Sequence, residues 1–193
     1  MNSKIILASG SPRRIEMMKN HGLNPEILPA DIDENLPVNH GMKDTVMFLS
    51  LKKAQWVREK YLLEHPNADD HIIIAADTIV YYDGEIMGKP KDFDDGFKML
   101  SKLNGKCHQV ATGVTLLDLL SGSGKVFVEV TDVYFKKYSD EWLTEYLKTD
   151  EAYDKAGGYA IQGQFAEQIE RFEGDYNTVI GFPWDRIVKE LEK

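Results

Sequence analysis

Apolar residues come in two rhythms along the chain. Residues 4–8 ("KIILA") and 71–82 ("HIIIAADTIVYY") are near-continuous apolar runs rich in β-branched side chains, the pattern of buried strands. After the first run, Ser11 stands as a helix N-cap with Pro12 at the first helical position. That helix runs through Ile15 and Met18 and stops near Gly22. Residues 24–37 are loop with one short strand. A long helix is predicted over 45–65, capped by Asp44 and ending before Pro66, with Val46, Leu49, Val57 and Tyr61 on one face. Asp83-Gly84 is a hairpin turn returning the chain over 85–88. A helix over 94–103 ends at Asn104-Gly105. Runs 107–120 and 125–138, joined by "SGSG", form a long antiparallel hairpin, and Ser139 caps a helix over 140–149 with acids in its first turn. Residues 151–164 are glycine-rich loop with a short strand, and Pro183 opens a terminal helix. Strands mixed with helices and long hairpins predict an α/β fold with a mixed sheet and flanking helices.

Length and composition sharpen this picture. A chain of 193 residues suits one sizeable domain, taken as residues 1–193. No apolar stretch approaches the roughly 20 residues of a membrane span, and the N-terminus has no signal-peptide core, so no membrane partner is expected. The one cysteine, Cys107, has no partner for an internal disulfide, which points to the cytoplasm; it reads as a small buried or semi-buried residue. A net charge of −9 argues against a nucleic-acid surface. It leaves room for a small polyphosphate where cations gather locally or a divalent metal bridges. His21, His40, His65, His71 and His108 show no zinc-ligand spacing and read as surface or core residues.

Several positions break the apolar pattern in ways that invite chemistry. "LASGSPRR" (7–14) places Ser9, Gly10 and Ser11 at a strand-to-helix turn and two arginines in the helix's first turn. Cations there oppose the helix dipole, so Arg13 and Arg14 are either solvated or share an anion held at the helix N-terminus. Lys53 falls inside the apolar stripe of the long helix, four residues after Leu49 and four before Val57. It either snorkels along its stem or points into a polar site; Lys52, one step round, reads as exposed. Asp77 sits within the apolar strand, where it is satisfied by backbone amides, or paired with a cation, or serves as a base or metal ligand. Candidate cations are Arg13, Arg14, Lys53 and Lys89, the last within "GKP" (88–90). "DKAGGYAIQG" (154–163) offers glycines that permit close ligand approach, and Gln162, whose amide both donates and accepts. "DIDEN" (31–35) gathers Asp31, Asp33 and Glu34 as either a solvated acidic turn or a magnesium ligand set.

Taken in order, "LASGSPRR", the "EN" pair at 34–35, "KKA" at 52–54, "AADT" at 75–78, "GKP", "DKAGGYAIQG" and "GDYNTVIGFP" at 174–183 resemble the Maf family of nucleoside triphosphate pyrophosphatases. The resemblance spans almost the whole chain. It departs from the family pattern at Glu151-Ala152, where proline often follows the glutamate, at "DKAGGY" for "DKAGAY" and at "IGFP" for "VGLP".

The resemblance implies an inosine-triphosphatase-like fold, with a mixed elongated sheet and two lobes around a deep nucleotide cleft. It also implies hydrolysis of the α–β phosphoanhydride of a nucleoside triphosphate, with Mg2+ or Mn2+ as cofactor. Asp77 is then the proton acceptor, and Glu34 and Asp77 are metal ligands. Ser9, Arg13, Arg14, Lys53 and Lys89 hold phosphate. Arg13, Thr78 and Gln162 match the branch acting on dTTP and UTP, rather than the branch preferring 7-methyl-GTP, which carries tryptophan, glutamine and glutamate there. Family members are often homodimers and are associated with septum formation. The rival readings are a nucleotide-binding regulator without turnover, acting in cell division, and a house-cleaning enzyme for modified nucleotides.

Overall fold

The computed structural model describes residues 4–34 and 41–192. Asn35 of the "EN" pair and His40 lie outside them, as do the ends of the chain and the last residues of the loop expected over 24–37. The chain divides into two compact units. The first comprises Met1–Asp77, Thr112–Glu129 and Gly181–Lys193, and the second Thr78–Ala111 and Val130–Ile180.

The elements in chain order are β1 (Lys4–Leu7), α1 (Pro12–Asn20), β2 (Glu26–Ile27), α2 (Met42–Glu64), β3 (His71–Tyr82), β4 (Glu85–Met87), α3 (Phe93–Leu103), β5 (Cys107–Asp118), β6 (Gly124–Phe135), α4 (Asp140–Leu147), β7 (Ile169–Glu173), α5 (Tyr176–Ile180) and α6 (Trp184–Leu191). The strands form a seven-stranded sheet in the order β2-β1-β3-β5-β6-β7, with β4 paired to β3. The sheet is mixed: β1 runs parallel to β2 and β3, while β4 and β7 pair antiparallel to β3 and β6.

In the first unit the unbroken apolar runs follow from burial on both sheet faces. Side chains alternate across a strand. Ile6, Ile73 and Ala75 pack with Ala54, Val57 and Tyr61 of α2. Their neighbours Leu7, Ile74 and Ala76 pack on the other face with Met18 of α1 and Trp184 and Ile187 of α6. The expected stripe of α2 is the buried one, Val46, Leu49, Val57 and Tyr61 all being under 7% exposed. Gly113 of β5 lets α2 approach, because a Cβ there would lie 2.3 Å from the Val46 carbonyl oxygen.

The core of the second unit is aromatic. Phe165, fully buried, is ringed by Phe135, Tyr138, Trp142, Tyr146 and Tyr159, with centroids 4.8–5.5 Å away. Asp83 (φ 50°) and Gly84 (φ 83°) both adopt the left-handed conformation of the β3–β4 hairpin turn. Ser139 caps α4, its Oγ accepting from the Trp142 N–H at 3.2 Å.

Three sequence expectations need correction. Asp44 lies in the first turn of α2, which starts earlier, with Gly41 at the N-cap. Residues 151–164 hold short 3-10 turns rather than a strand; the strand is β7, further on. Cys107 is exposed. Pro183 opens α6 as expected, at its N-cap. Among the described residues, no helix is long and apolar enough to cross a membrane.

Candidate functional site

Alternation along β3 decides where Asp77 goes. Two residues beyond Ala75, it falls on the face covered by α2, and Lys53 is the one charged residue within the apolar stripe of that helix. The two meet: Lys53 Nζ donates to Asp77 Oδ1 at 2.6 Å. The same ammonium lies 2.7 Å from Glu34 Oε1, so two carboxylates converge on one cation. The arms differ in solvation. The Asp77 side chain is 9% exposed and that of Glu34 60%. Burial pushes the Asp77 carboxyl above its ordinary value; Lys53 and Arg14 oppose that push, and Glu34 adds to it.

Arg14 is held by backbone as much as by charge. Its Nε donates to the Gly181 carbonyl at 2.9 Å, and its Nη1 donates to the Ala76 carbonyl at 2.7 Å and to Ser9 Oγ at 3.2 Å. One guanidinium thus ties the end of β1, the residue before Asp77 and the start of the α6 segment. Burial lowers its pKa to about 10, against the pull of Asp77 and with the help of Arg13, so it stays cationic at neutral pH. Ser9 is 8% exposed, and its Oγ also accepts the Ser11 N–H at 3.2 Å. Ser11 occupies the N-cap of α1 and Pro12 follows, as expected, but the Ser11 hydroxyl makes no capping bond.

Five of the expected residues, Ser9, Arg14, Glu34, Lys53 and Asp77, are therefore linked into one cluster within the first unit. Arg13 is next to it in α1, half-buried. Lys52, expected to be exposed, is half-buried and donates to the Asp33 carbonyl at 2.6 Å, anchoring the acidic loop that carries Glu34. The other three expected residues belong to the second unit. Thr78 is half-buried on β3, while Lys89 and Gln162 are exposed on loops. The Lys89 loop is tied to the glycine-rich loop by the Gly157 N–H, which donates to the Gly88 carbonyl at 2.9 Å.

Sequence reasoning missed the acceptors that fix Arg14. Gly181 was visible only as part of the "GDYNTVIGFP" match, and a backbone carbonyl carries no residue signature. It also missed Glu151, whose carboxylate accepts the Gln164 N–H at 2.8 Å.

Chemically, the cluster combines a buried carboxylate of raised pKa, a lysine, an arginine and a hydroxyl, a set suited to an anionic substrate and to proton abstraction. Proteins similar to this chain carry a matching description. The dTTP/UTP pyrophosphatase of Caldicellulosiruptor bescii is 43% identical over 190 residues, covering 98% of this chain and 94% of the relative. That of Acetivibrio thermocellus is 42% identical over 184 residues, 95% and 92% of the two chains. That of Bacillus cereus is 40% identical over 190 residues, 98% and 95%. The family model described as "Maf-like protein" matches residues 4–193, a span that takes in every residue of the cluster, and the chain therefore belongs to the Maf family.

Proposed function

We propose that the protein hydrolyses dTTP and UTP at the α–β phosphoanhydride, releasing the nucleoside monophosphate and pyrophosphate, and so clears these or modified pyrimidine triphosphates from the nucleotide pool. The observation that carries the reading is Asp77. It is a carboxylate buried in an apolar strand, raised in pKa and held by Lys53 at 2.6 Å, in a chain similar along its length to pyrophosphatases acting on dTTP and UTP.

Asp77 takes the proton from a water as that water forms a bond to the α-phosphorus. The bond from that phosphorus to the bridging oxygen breaks, and pyrophosphate leaves in line. A base whose pKa is raised by burial holds the proton better than an ordinary carboxylate does. Lys53 keeps Asp77 oriented and, with Arg14, Arg13, Ser9 and Lys89, sets positive charge and donors against the phosphate oxygens. Catalysis is then mainly positioning and charge stabilisation. Gln162 and Thr78 read the pyrimidine edge. An amide that pairs with a uracil or thymine ring faces the reversed donor–acceptor pattern in cytosine.

The donor set fits a divalent metal. Asp77 and Glu34 direct carboxylate oxygens at a single cation, the Lys53 ammonium, at 2.6 and 2.7 Å. Among the described residues, no group of three or more His, Cys, Asp or Glu gathers. Two carboxylates with the remaining positions left to phosphate and water is how Mg2+ is usually held. Glu34 and Asp77 would hold it, and when bound it supplies charge to the phosphate oxygens. A cytoplasmic homodimer completes the reading, supported by the single cysteine and the family resemblance.

The test is a panel of common and modified nucleoside triphosphates with Mg2+ or Mn2+, with monophosphate, pyrophosphate and orthophosphate all quantified. The expected result is equimolar pyrophosphate and monophosphate from dTTP and UTP, with CTP slower. Orthophosphate as the first product would overturn the cleavage site, and no turnover of any nucleotide would overturn the enzyme.

A further inference from the structure

Gln162 sits exposed at the tip of a short connection. On one side Tyr159, Ala160 and Ile161 are each under 9% exposed; on the other, Phe165 is fully buried. The residues between are Gln162, Gly163 and Gln164, and both glutamines are exposed, so packing does not fix them. What fixes them is Glu151, twelve positions before Gly163 in sequence. Its Oε2 accepts the Gln164 N–H at 2.8 Å, and its Oε1 accepts the Phe165 N–H at 3.3 Å and the Tyr146 hydroxyl at 3.3 Å. These are the first-turn amides of the 3-10 turn Gln164–Gln168, whose N-cap is Gly163 and whose side chains provide no cap of their own. Glu151 is therefore a cap supplied from a distant part of the chain, and a charged acceptor makes these bonds stronger than neutral ones.

The fit is close. A Cβ at Gly163 would lie 2.1 Å from Glu151 Oε1 and 2.3 Å from its carboxyl carbon. The φ of Gly163 is −112°, a value any residue adopts, so glycine is needed here for the carboxylate and not for the backbone angle. Glu151 is anchored in turn. Its own N–H donates to Thr149 Oγ1 at 3.4 Å, and Lys155 Nζ donates to its carbonyl at 3.0 Å. The single proton of the Tyr146 hydroxyl is shared between this carboxylate and the Gly158 carbonyl of the glycine-rich loop, 3.1 Å away.

We infer that Glu151 is a positioning residue for pyrimidine selection, holding the Gln162–Gly163 backbone through the Gln164 and Phe165 amides so that the Gln162 amide meets the base in one orientation. This rests on the reading above that Gln162 contacts the base. A loosened loop lets Gln162 turn or withdraw, which weakens binding and lowers the preference for UTP over CTP while leaving the Asp77 chemistry in place.

The experiment measures kcat and KM with UTP and CTP for the unmodified protein, Gln162→Ala, Glu151→Gln, Gly163→Ala and the double variant Glu151→Gln/Gln162→Ala. Glu151→Gln keeps the volume but turns an NH2 toward one of the N–H donors. Gly163→Ala displaces an intact carboxylate from the other side, which covers a failure of the first variant to fold. The expected result for both is a rise in the KM for UTP on the order of tenfold, with kcat within about twofold. The UTP/CTP ratio of kcat/KM falls toward that of Gln162→Ala, and the double variant falls no further. A merely structural role would lower the active fraction for both nucleotides alike and leave KM and the ratio unmoved. A lowered ratio in Gln162→Ala with an unchanged ratio in Glu151→Gln and Gly163→Ala overturns the positioning role and leaves the base reading standing. An unchanged ratio in Gln162→Ala overturns both.

Discussion

Lys53 stands between two carboxylates of unequal burial, and Lys53→Met separates their contributions. Methionine keeps an unbranched stem in the apolar stripe of α2 and deletes the ammonium. On the Glu34 side the lost pair is solvent-exposed, at 60% for the carboxylate, and such pairs are worth at most about 1 kcal/mol. On the Asp77 side the carboxylate is 9% exposed, and removing one partner leaves a buried charge unpaired, which typically costs about 3–5 kcal/mol. Arg14 remains close enough to lower the Asp77 pKa, so the low end applies and the expected loss at pH 7 is about 3 kcal/mol. The Asp77 term dominates.

The loss must also depend on pH with a defined sign. Asp77 is already raised in the folded state, and deleting Lys53 raises it further. The folded state then holds its proton more tightly than the unfolded chain, so stability falls as pH rises from the unfolded value of 3.8 through the folded one. The deficit of Lys53→Met should be smaller at pH 4, close to the unfolded value of 3.8, than at pH 8, and full above the raised pKa. Urea unfolding from pH 4 to 8 with a chelator present, followed by the fluorescence of Trp56, Trp142 and Trp184, measures it. In Lys53→Met/Asp77→Asn no charge is stranded, and stability should return to within about 1 kcal/mol of the parent. A deficit under about 0.5 kcal/mol at pH 7, or one equal at pH 4 and 8, or one that persists in the double variant, would refute the buried-pair reasoning.

Asp77→Asn alone should cut pyrophosphate release by about 10²–10⁴-fold with an unfolding midpoint unchanged or higher, since an ionised carboxylate of raised pKa costs stability; turnover close to the parent would remove Asp77 as the base. His108 is buried with Nε2 2.6 Å from the Tyr159 hydroxyl, and burial holds its pKa at about 3. Because the unfolded chain takes that proton near 6.5, stability should fall by up to about 1.4 kcal/mol per pH unit as pH drops from 6.5 toward 3, and His108→Gln should flatten that slope in an acid unfolding series. Gly113→Ala places a Cβ 2.3 Å from the Val46 carbonyl oxygen and 2.7 Å from the Met47 nitrogen, backbone atoms that cannot rotate away. Calorimetry should find it destabilised by at least about 1–3 kcal/mol.

What was legible in the fold was what is local. The span of β3, its Asp83-Gly84 turn, the Ser139 cap and the end of α3 at Asn104 each follow from a few adjacent residues, and the structure has them in place. What was not legible depends on partners. In β7 only Ile169 is partly buried and the other four residues are exposed, so it has no alternation to read; it is a strand because β6 offers a ladder, helped by Arg171 stacked 3.6 Å from the Tyr134 ring. The five residues of α5 are too few to nucleate a helix without tertiary support. At Ser11 the cap position was correct and the capping bond absent; the Ser11 N–H donates to Ser9 Oγ.

The candidate site divides along the same line, for a physical reason. Lys53 and Asp77 could be found because each violates its element's pattern: a cation in an apolar stripe and an anion in an apolar strand are costly unless they meet, and the two costs cancel only when paired. Two such violations on elements that pack together predict each other. Glu151 violates nothing, since a glutamate near a loop is ordinary, and Arg14 stood out only as a cation against the helix dipole, with no sign of the groups that hold it. What marks them is the class of acceptor or donor they use, namely the carbonyls of Ala76 and Gly181 and the amides of Gln164 and Phe165. Every residue owns such backbone groups, so their use leaves no trace in composition or spacing. It follows that the residues which carry charge to the chemistry are the ones a sequence exposes, while the residues that hold those groups in place emerge only from the folded backbone. Substitutions of the second kind should therefore reveal themselves in KM, selectivity and pH dependence before they abolish turnover.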